Sequence, residues 1–132
     1  MGLIKNSNKA KQGVDFTGVK WGKIHPSDVD FVLEFNNKVL ILGEVKYKGS
    51  ELTIGQRLML ERIADSWHTG FSFVIFVHHT HDDDTTDIPL EKCEVYKIYH
   101  NKEWHSLGGM LIDKINQIRK VFNLDDRTTN TI

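Results

Sequence analysis

Three charged residues lie at the ends of two neighbouring apolar runs in this chain. Asp30 precedes the run Phe31 to Phe35, and the next run ends in Glu44, Val45 and Lys46. Because side chains alternate between the two faces of a strand, Glu44 and Lys46 point to one face and Val45 to the other. If the two runs pair as a hairpin, Asp30 lies beside Glu44. We therefore expect two carboxylates and one ammonium group to converge at one end of a sheet.

This combination of side chains suits the hydrolysis of a phosphodiester. That reaction needs a hard cation, an activated water and neutralisation of the developing charge. Asp30 and Glu44 are candidate ligands for Mg²⁺ or Mn²⁺, with the backbone carbonyl of Val45 as a further oxygen ligand. Lys46 is a candidate to hold the attacking water or to contact the phosphate. The alternative is a solvated Glu-Lys pair at a strand end, but the acid at the head of the preceding strand favours the site.

The elements that must position these residues are short apolar runs, typical of strands, and two stretches of helical periodicity. One helix is predicted from Ile54 to about Trp67, with Thr53 as its N-cap, and the other from Leu107 to Phe122. The runs that predict strands are Gly18 to Lys23, Phe31 to Phe35, Val39 to Leu42, Phe71 to Val77 and Cys93 to Tyr99. Their order predicts an α/β fold with a central mixed sheet flanked by helices.

The segment Pro26-Ser27-Asp28-Val29-Asp30, followed by Glu44-Val45-Lys46, resembles the Pro-Asp…(Asp/Glu)-x-Lys signature of the PD-(D/E)XK nuclease superfamily. Gly55-Gln56-Arg57 resembles the glutamine-bearing helix that follows the Lys strand in several members. The resemblance covers about residues 15 to 78 and is greatest to small phage-type or Holliday-junction-resolvase-like nucleases. It implies a restriction-endonuclease-like core with a four-stranded mixed sheet, a divalent metal and DNA cleavage.

The resemblance also implies roles for single residues. Asp30, Glu44, Lys46 and Gln56 are the expected catalytic residues. Because the acid does not directly follow Pro26, Asp28 competes with Asp30 as the ligand, and Asp15 is a weaker candidate. The candidates for contacts with backbone phosphates are Lys48, Arg57, Lys20 and Lys23.

Composition sets the frame for this hypothesis. The 132 residues, with 39% hydrophobic and 27% charged side chains, predict one domain with a basic arm over about residues 1–12 and a frayed tail over about 123–132. A net charge of −1 confines any nucleic-acid surface to a local patch. The chain carries a single cysteine, and it has neither an apolar run of membrane length nor the apolar core of a signal peptide. We therefore expect a cytoplasmic protein without membrane contact, and the resemblance implies phage origin in a bacterial host.

The function expected from these observations is metal-dependent endonuclease activity on DNA, with junctions or branched DNA as candidate substrates. A domain this small covers little DNA, so cutting both strands favours a homodimer. The absence of a glycine-rich phosphate loop argues against a nucleotide cofactor. Two alternatives remain open: an inactive nuclease-fold module that binds nucleic acid or a protein partner, and a nuclease directed at RNA.

Overall fold

The computed structural model describes residues 13–124, which form a five-stranded mixed sheet and two α-helices. The elements in chain order are β1 (Phe31–Phe35), β2 (Val39–Tyr47), α1 (Ile54–Ser66), β3 (Phe71–His79), a 3-10 turn (Leu90–Lys92), β4 (Glu94–His100), β5 (Glu103–Ser106) and α2 (Leu111–Val121). The strands lie in the order β1-β2-β3-β4-β5. Strands β2 and β3 are parallel, and the other neighbouring pairs are antiparallel. This confirms the predicted α/β class with a mixed sheet, and it adds a fifth strand to the four that the resemblance implied.

The predicted hairpin between β1 and β2 is confirmed. Asn36 and Asn37 adopt positive φ angles of 47° and 64°, which Asn tolerates better than most residues. The N–H of Lys38 donates to the carbonyl of Phe35 at 2.8 Å and closes the turn. The turn fixes the register, in which Phe31 pairs with Gly43. One residue further along each strand, Asp30 therefore faces Glu44.

Helix α1 connects the two parallel strands, because a parallel pair requires a crossover rather than a tight turn. Its N-cap is Thr53, as the sequence predicts, and it ends at Ser66, close to the predicted end. Leu60 and Ala64 are its buried residues, and they pack on one face of the sheet. The sheet residues of that cluster include Leu40, Leu42, Val74 and Tyr99. Glu44 follows Leu40 and Leu42 at period two, so it lies on the same face as α1.

Helix α2 covers the opposite face of the sheet, but it begins four residues later than the predicted Leu107. The backbone from Leu107 to Met110 pairs with β4 instead. The N–H of Leu107 donates to the carbonyl of Tyr96, and the N–H of Val95 donates to that of Gly109. Gly109 adopts a φ of +95°, which a helix does not allow. The helical spacing of apolar residues was misleading here, because the sheet takes these backbone groups.

The strand predicted over Gly18 to Lys23 is also wrong. Trp21 and Ile24 exchange two backbone hydrogen bonds with each other, of 2.8 and 3.0 Å, around Gly22 at a φ of +63°. The segment is thus a tight turn ahead of the sheet, and residues 13–25 are exposed.

The ends of the chain are described only in part. The basic arm over residues 1–12 lies outside the described residues, as does most of the predicted frayed tail. Leu124, at the start of that tail, is 4% exposed, and its N–H donates to the carbonyl of Arg119 at 2.7 Å. The frayed tail over about residues 123–132 stays a prediction. Neither α1 nor α2 is long and apolar enough to cross a membrane, and no other helix of residues 13–124 is.

Candidate functional site

Asp30 and Glu44 meet at the end of the β1–β2 hairpin, as the sequence predicts. The carboxylate oxygen Oδ2 of Asp30 accepts a hydrogen bond of 2.7 Å from the N–H of Val45. On the other face of the sheet, Phe31 packs so closely over Gly43 that an added Cβ would overlap its ring. Glycine at this position therefore allows β1 to lie against β2 directly beside Glu44.

Glu44 is buried, although glutamate is seldom buried without a partner. Its side chain is 5% exposed, and among residues 13–124 it is the one buried charged residue. The side-chain amide Nε2 of Gln56 donates to its Oε2 at 3.2 Å. This contact connects the end of β2 to the first turn of α1, and it brings together two of the four predicted catalytic residues.

The environment of Glu44 raises its pKa from 4.5 to about 7. Burial is the largest cause, because it disfavours the charged form, and the negative charge of Asp30 is the second. The positive charge of Lys46 opposes both by favouring the carboxylate, and the charge of Asp28 adds a smaller increase. Burial and a neighbouring carboxylate together bring the pKa of Glu44 near neutrality, and a nearby cation would favour its charged form.

Gln56 is held in place by a reciprocal cap of α1. Its N–H donates to the hydroxyl of Thr53 at 3.1 Å, and its side-chain Oε1 accepts from the N–H of Thr53 at 3.2 Å. This capping box uses the oxygen of the Gln56 amide and leaves the NH₂ group for Glu44. The sequence pattern Thr-x-x-Gln therefore fixes both the helix start and the position of a site residue.

Lys46 lies two residues beyond Glu44 on the same face of the sheet, and it is partly buried. Its cross-strand partner in the parallel pair is His78 on β3. The charge of Lys46 affects the pKa of Glu44, so Lys46 lies near the carboxylate pair. Among the described residues it forms no direct ion pair with either acid.

The two further acids differ in position. Asp28 is exposed, and it is close enough for its charge to affect the pKa of Glu44. The carboxylate of Asp15 instead accepts from the N–H and the hydroxyl of Thr17, at 3.0 and 2.8 Å, which lowers its pKa. The structure thus brings Asp28 near the site, and it engages Asp15 in a local turn.

The candidate phosphate contacts are also in different surroundings. Arg57 forms an ion pair of 2.6 Å with Glu61 one turn along α1. Lys20 and Lys23 are exposed in the segment before β1. Lys48 is exposed just beyond β2, where its backbone N–H donates to the carbonyl of His79 at 2.9 Å.

A group of contacts that the sequence did not predict anchors the loop between β2 and α1. The hydroxyl of Tyr96 donates to Glu51, and the ring of His78 contacts the carbonyl of Ser50 through Nε2 at 2.9 Å. The rings of Tyr96 and His78 stack at 4.2 Å. Tyr96 lies where the register between β3 and β4 shifts, so a β-bulge aims its ring at this loop. No sequence pattern distinguishes such a bulge from a regular strand.

The carboxylates of Asp30 and Glu44 fit a hard divalent cation that takes few ligands from the protein. Asp30 and Glu44 each accept hydrogen bonds and still have lone pairs for a cation, since a carboxylate offers about four. Mg²⁺ needs only one or two carboxylates, because it keeps several waters. Within residues 13–124, no group of three or more His, Cys, Asp or Glu side chains is arranged to hold a metal ion. The pair at the hairpin end offers two carboxylates.

Comparisons with known proteins assign no relatives to this arrangement. No family model matches the chain, and no curated protein or solved structure has significant similarity to it.

Proposed function

We propose that this protein is a metal-dependent endodeoxyribonuclease with a restriction-endonuclease-like core. The observation that carries the proposal is the buried Glu44, which lies opposite Asp30, contacts Gln56 and has a pKa of about 7. A buried acid facing a second acid is unfavourable for folding unless something offsets it. A function that needs a cation at this place explains why the chain carries both.

Each residue has a definite role in this proposal. Asp30 and Glu44 hold Mg²⁺ or Mn²⁺, with the carbonyl of Val45 as a further ligand. The cation, when bound, supplies charge stabilisation at the scissile phosphate and an activated water. Lys46 stabilises negative charge on the phosphate, and Gln56 orients Glu44 through its amide. Asp28, which is exposed nearby, is the competing ligand for Asp30.

The expected substrate is DNA, with branched or junction structures as candidates, and the product is a 5′-phosphate. The described part of the chain presents one site on one end of one sheet. Cleavage of two strands would then require two copies of the chain, so we propose a homodimer.

The test is cleavage of a panel of substrates with Mg²⁺, with Mn²⁺ and with a chelator. The panel comprises linear duplex, single strand, flap, four-way junction and RNA. Wild type is compared with Glu44→Ala, Lys46→Ala and the control Lys38→Ala, whose exposed side chain lies in the turn at the opposite end of β2. We expect metal-dependent cutting of DNA that the first two substitutions abolish and the control retains.

Three outcomes contradict the proposal or part of it. Metal-dependent cutting that survives both substitutions refutes the site, and absence of cutting on every substrate favours a binding module without activity. Cutting confined to RNA would replace DNA as the substrate. Asp28→Asn against Asp30→Asn identifies the ligand, since the larger loss of metal-dependent cutting belongs to the residue that binds the cation.

A further inference from the structure

A second concave site lies beside Lys46, where the parallel strands β2 and β3 end. It is a cavity of about 160 Å³, and its lining includes Lys48, Lys92, Glu94, His79, Thr80 and Tyr96. Ligands of open α/β sheets commonly bind outside the carboxyl ends of the parallel strands. The volume is below the range for drug-sized ligands, about 300–1,000 Å³, so the cavity suits a small group.

The charge of the lining favours an anion. Lys48 and Lys92 both line the cavity, and neither forms an ion pair within residues 13–124. Glu94 is the one acid in the lining, so Lys48, Lys92 and Glu94 together give a net charge of +1. Like charges that share a cavity are unfavourable, and an anion of one negative charge between them offsets this cost.

The neutral side chains of the lining add hydrogen-bond donors. The N–H of His81 donates to Nδ1 of His79 at 3.1 Å, so a neutral His79 carries its proton on Nε2 and can donate it. The hydroxyl of Thr80 is a further donor at the end of β3. Ammonium, imidazole N–H and hydroxyl groups together are typical of contacts with phosphate oxygens.

We propose that this cavity binds one phosphodiester of a nucleic-acid strand, next to the phosphodiester at Asp30 and Glu44. The proposal rests on the proposed function, because it takes the neighbouring group to be the scissile phosphate. Lys48 follows Lys46 by two residues, just beyond the end of β2, so their Cα atoms are at most about 7 Å apart and one strand of substrate can contact both lysines. A phosphodiester carries a single negative charge, which balances the net charge of +1 of the lining.

The direct test is the affinity of the full chain for labelled oligonucleotides in a chelator, where no turnover occurs. Lys48→Gln and Lys92→Gln are compared with the control Lys38→Gln, which removes the same charge at the other end of the sheet. Loss of one phosphate contact should lower the slope of log K against log salt by about 0.9 on duplex, or about 0.7 on single strands. The same relation predicts about fivefold weaker binding of duplex at about 0.15 M salt. If both variants match Lys38→Gln, the cavity does not bind the strand.

A second arm separates a phosphodiester from free phosphate. Chemical shifts of Thr80 and of the His79 ring are followed while a dinucleotide with one phosphodiester, or inorganic phosphate, is added. Shifts with the dinucleotide support the proposal, and shifts with inorganic phosphate alone overturn it.

Cleavage assays distinguish this proposal from the nuclease activity itself. If metal is required for cutting and Lys92→Gln cuts as fast as Lys38→Gln, the phosphodiester site in the cavity is refuted and the nuclease proposal stands. Selective loss of affinity in a protein that cuts nothing keeps the phosphodiester site and refutes the nuclease. If the chain binds no oligonucleotide and cuts no substrate with metal present, both proposals are wrong.

Discussion

Replacement of Glu44 by Gln tests the electrostatics of the site without reference to any substrate. Glutamine has nearly the same shape, and its carbonyl oxygen can still accept the hydrogen bond from the Gln56 amide. The substitution removes only the charge that burial and Asp30 disfavour. We therefore expect Glu44→Gln to stabilise the metal-free protein at alkaline pH, although it removes a side chain that the proposed function needs.

The expected size follows from the pKa of Glu44. That pKa rises from 4.5 in the unfolded chain to about 7 in the folded protein, so between these values the folded state binds more protons. Stability then falls as pH rises from 4.5 towards 7 and stays low above it. At 1.36 kcal/mol per pKa unit the loss is at most about 3.4 kcal/mol, and solvent that screens the exposed charge of Asp30 reduces it to about 1–2 kcal/mol.

The measurement is urea unfolding of wild type and Glu44→Gln at about pH 5 and about pH 8 in a chelator. The variant should gain about 1–2 kcal/mol over wild type between the two pH values, since the other titrating groups are common to both proteins. Added Mg²⁺ should raise the stability of wild type and leave that of Glu44→Gln unchanged. An equal difference in free energy of unfolding at both pH values would refute the reasoning.

Three further predictions concern the capping box, Gly43 and Tyr99. Thr53→Ala and Gln56→Ala both break the capping box, and each should lower the free energy of unfolding in urea by about 1 kcal/mol. Only Gln56→Ala should also lower the cleavage rate, by about tenfold. If the two variants cleave at equal rates, Gln56 serves only as a helix cap. Gly43→Ala should lower the free energy of unfolding by about 1–3 kcal/mol, because the added Cβ overlaps the ring of Phe31. Adding Phe31→Leu to that variant should recover part of the loss. No recovery would show that the overlap with Phe31 is not its cause. Burial and the hydrogen bond to Asp65 raise the pKa of Tyr99 to about 12. Ultraviolet absorbance titrations of wild type and Tyr99→Phe should therefore differ by one tyrosine that ionises near pH 12 and not near pH 10.

Much of the fold is predictable because local chemistry and tertiary structure agree. Asn36 and Asn37 tolerate the positive φ that a tight hairpin requires, and Thr53 supplies the hydroxyl that caps α1. The uninterrupted apolar runs of β2 and β3 follow from burial on both faces of the parallel pair. These elements place Asp30 opposite Glu44, and so the centre of the candidate site followed from the sequence.

The remainder depends on pairing that the sequence does not encode locally. Leu107 and Met110 fit a helical stripe, yet their backbone pairs with β4, and Trp21 pairs with Ile24 rather than with a strand. The bulge that aims Tyr96 at Glu51 is a property of register between two strands. The depth of burial of Glu44, which sets its pKa, likewise follows from how α1 covers the sheet.

The double use of Gln56 connects events at the site to the dynamics of α1. Its amide oxygen accepts from the N–H of Thr53, and its NH₂ group donates to Glu44. A change at Glu44 that draws the amide away weakens the cap, and the first amide protons of the helix then exchange with solvent more readily. Hydrogen exchange at the first turn of α1 would therefore report the state of the carboxylate pair, with no substrate present.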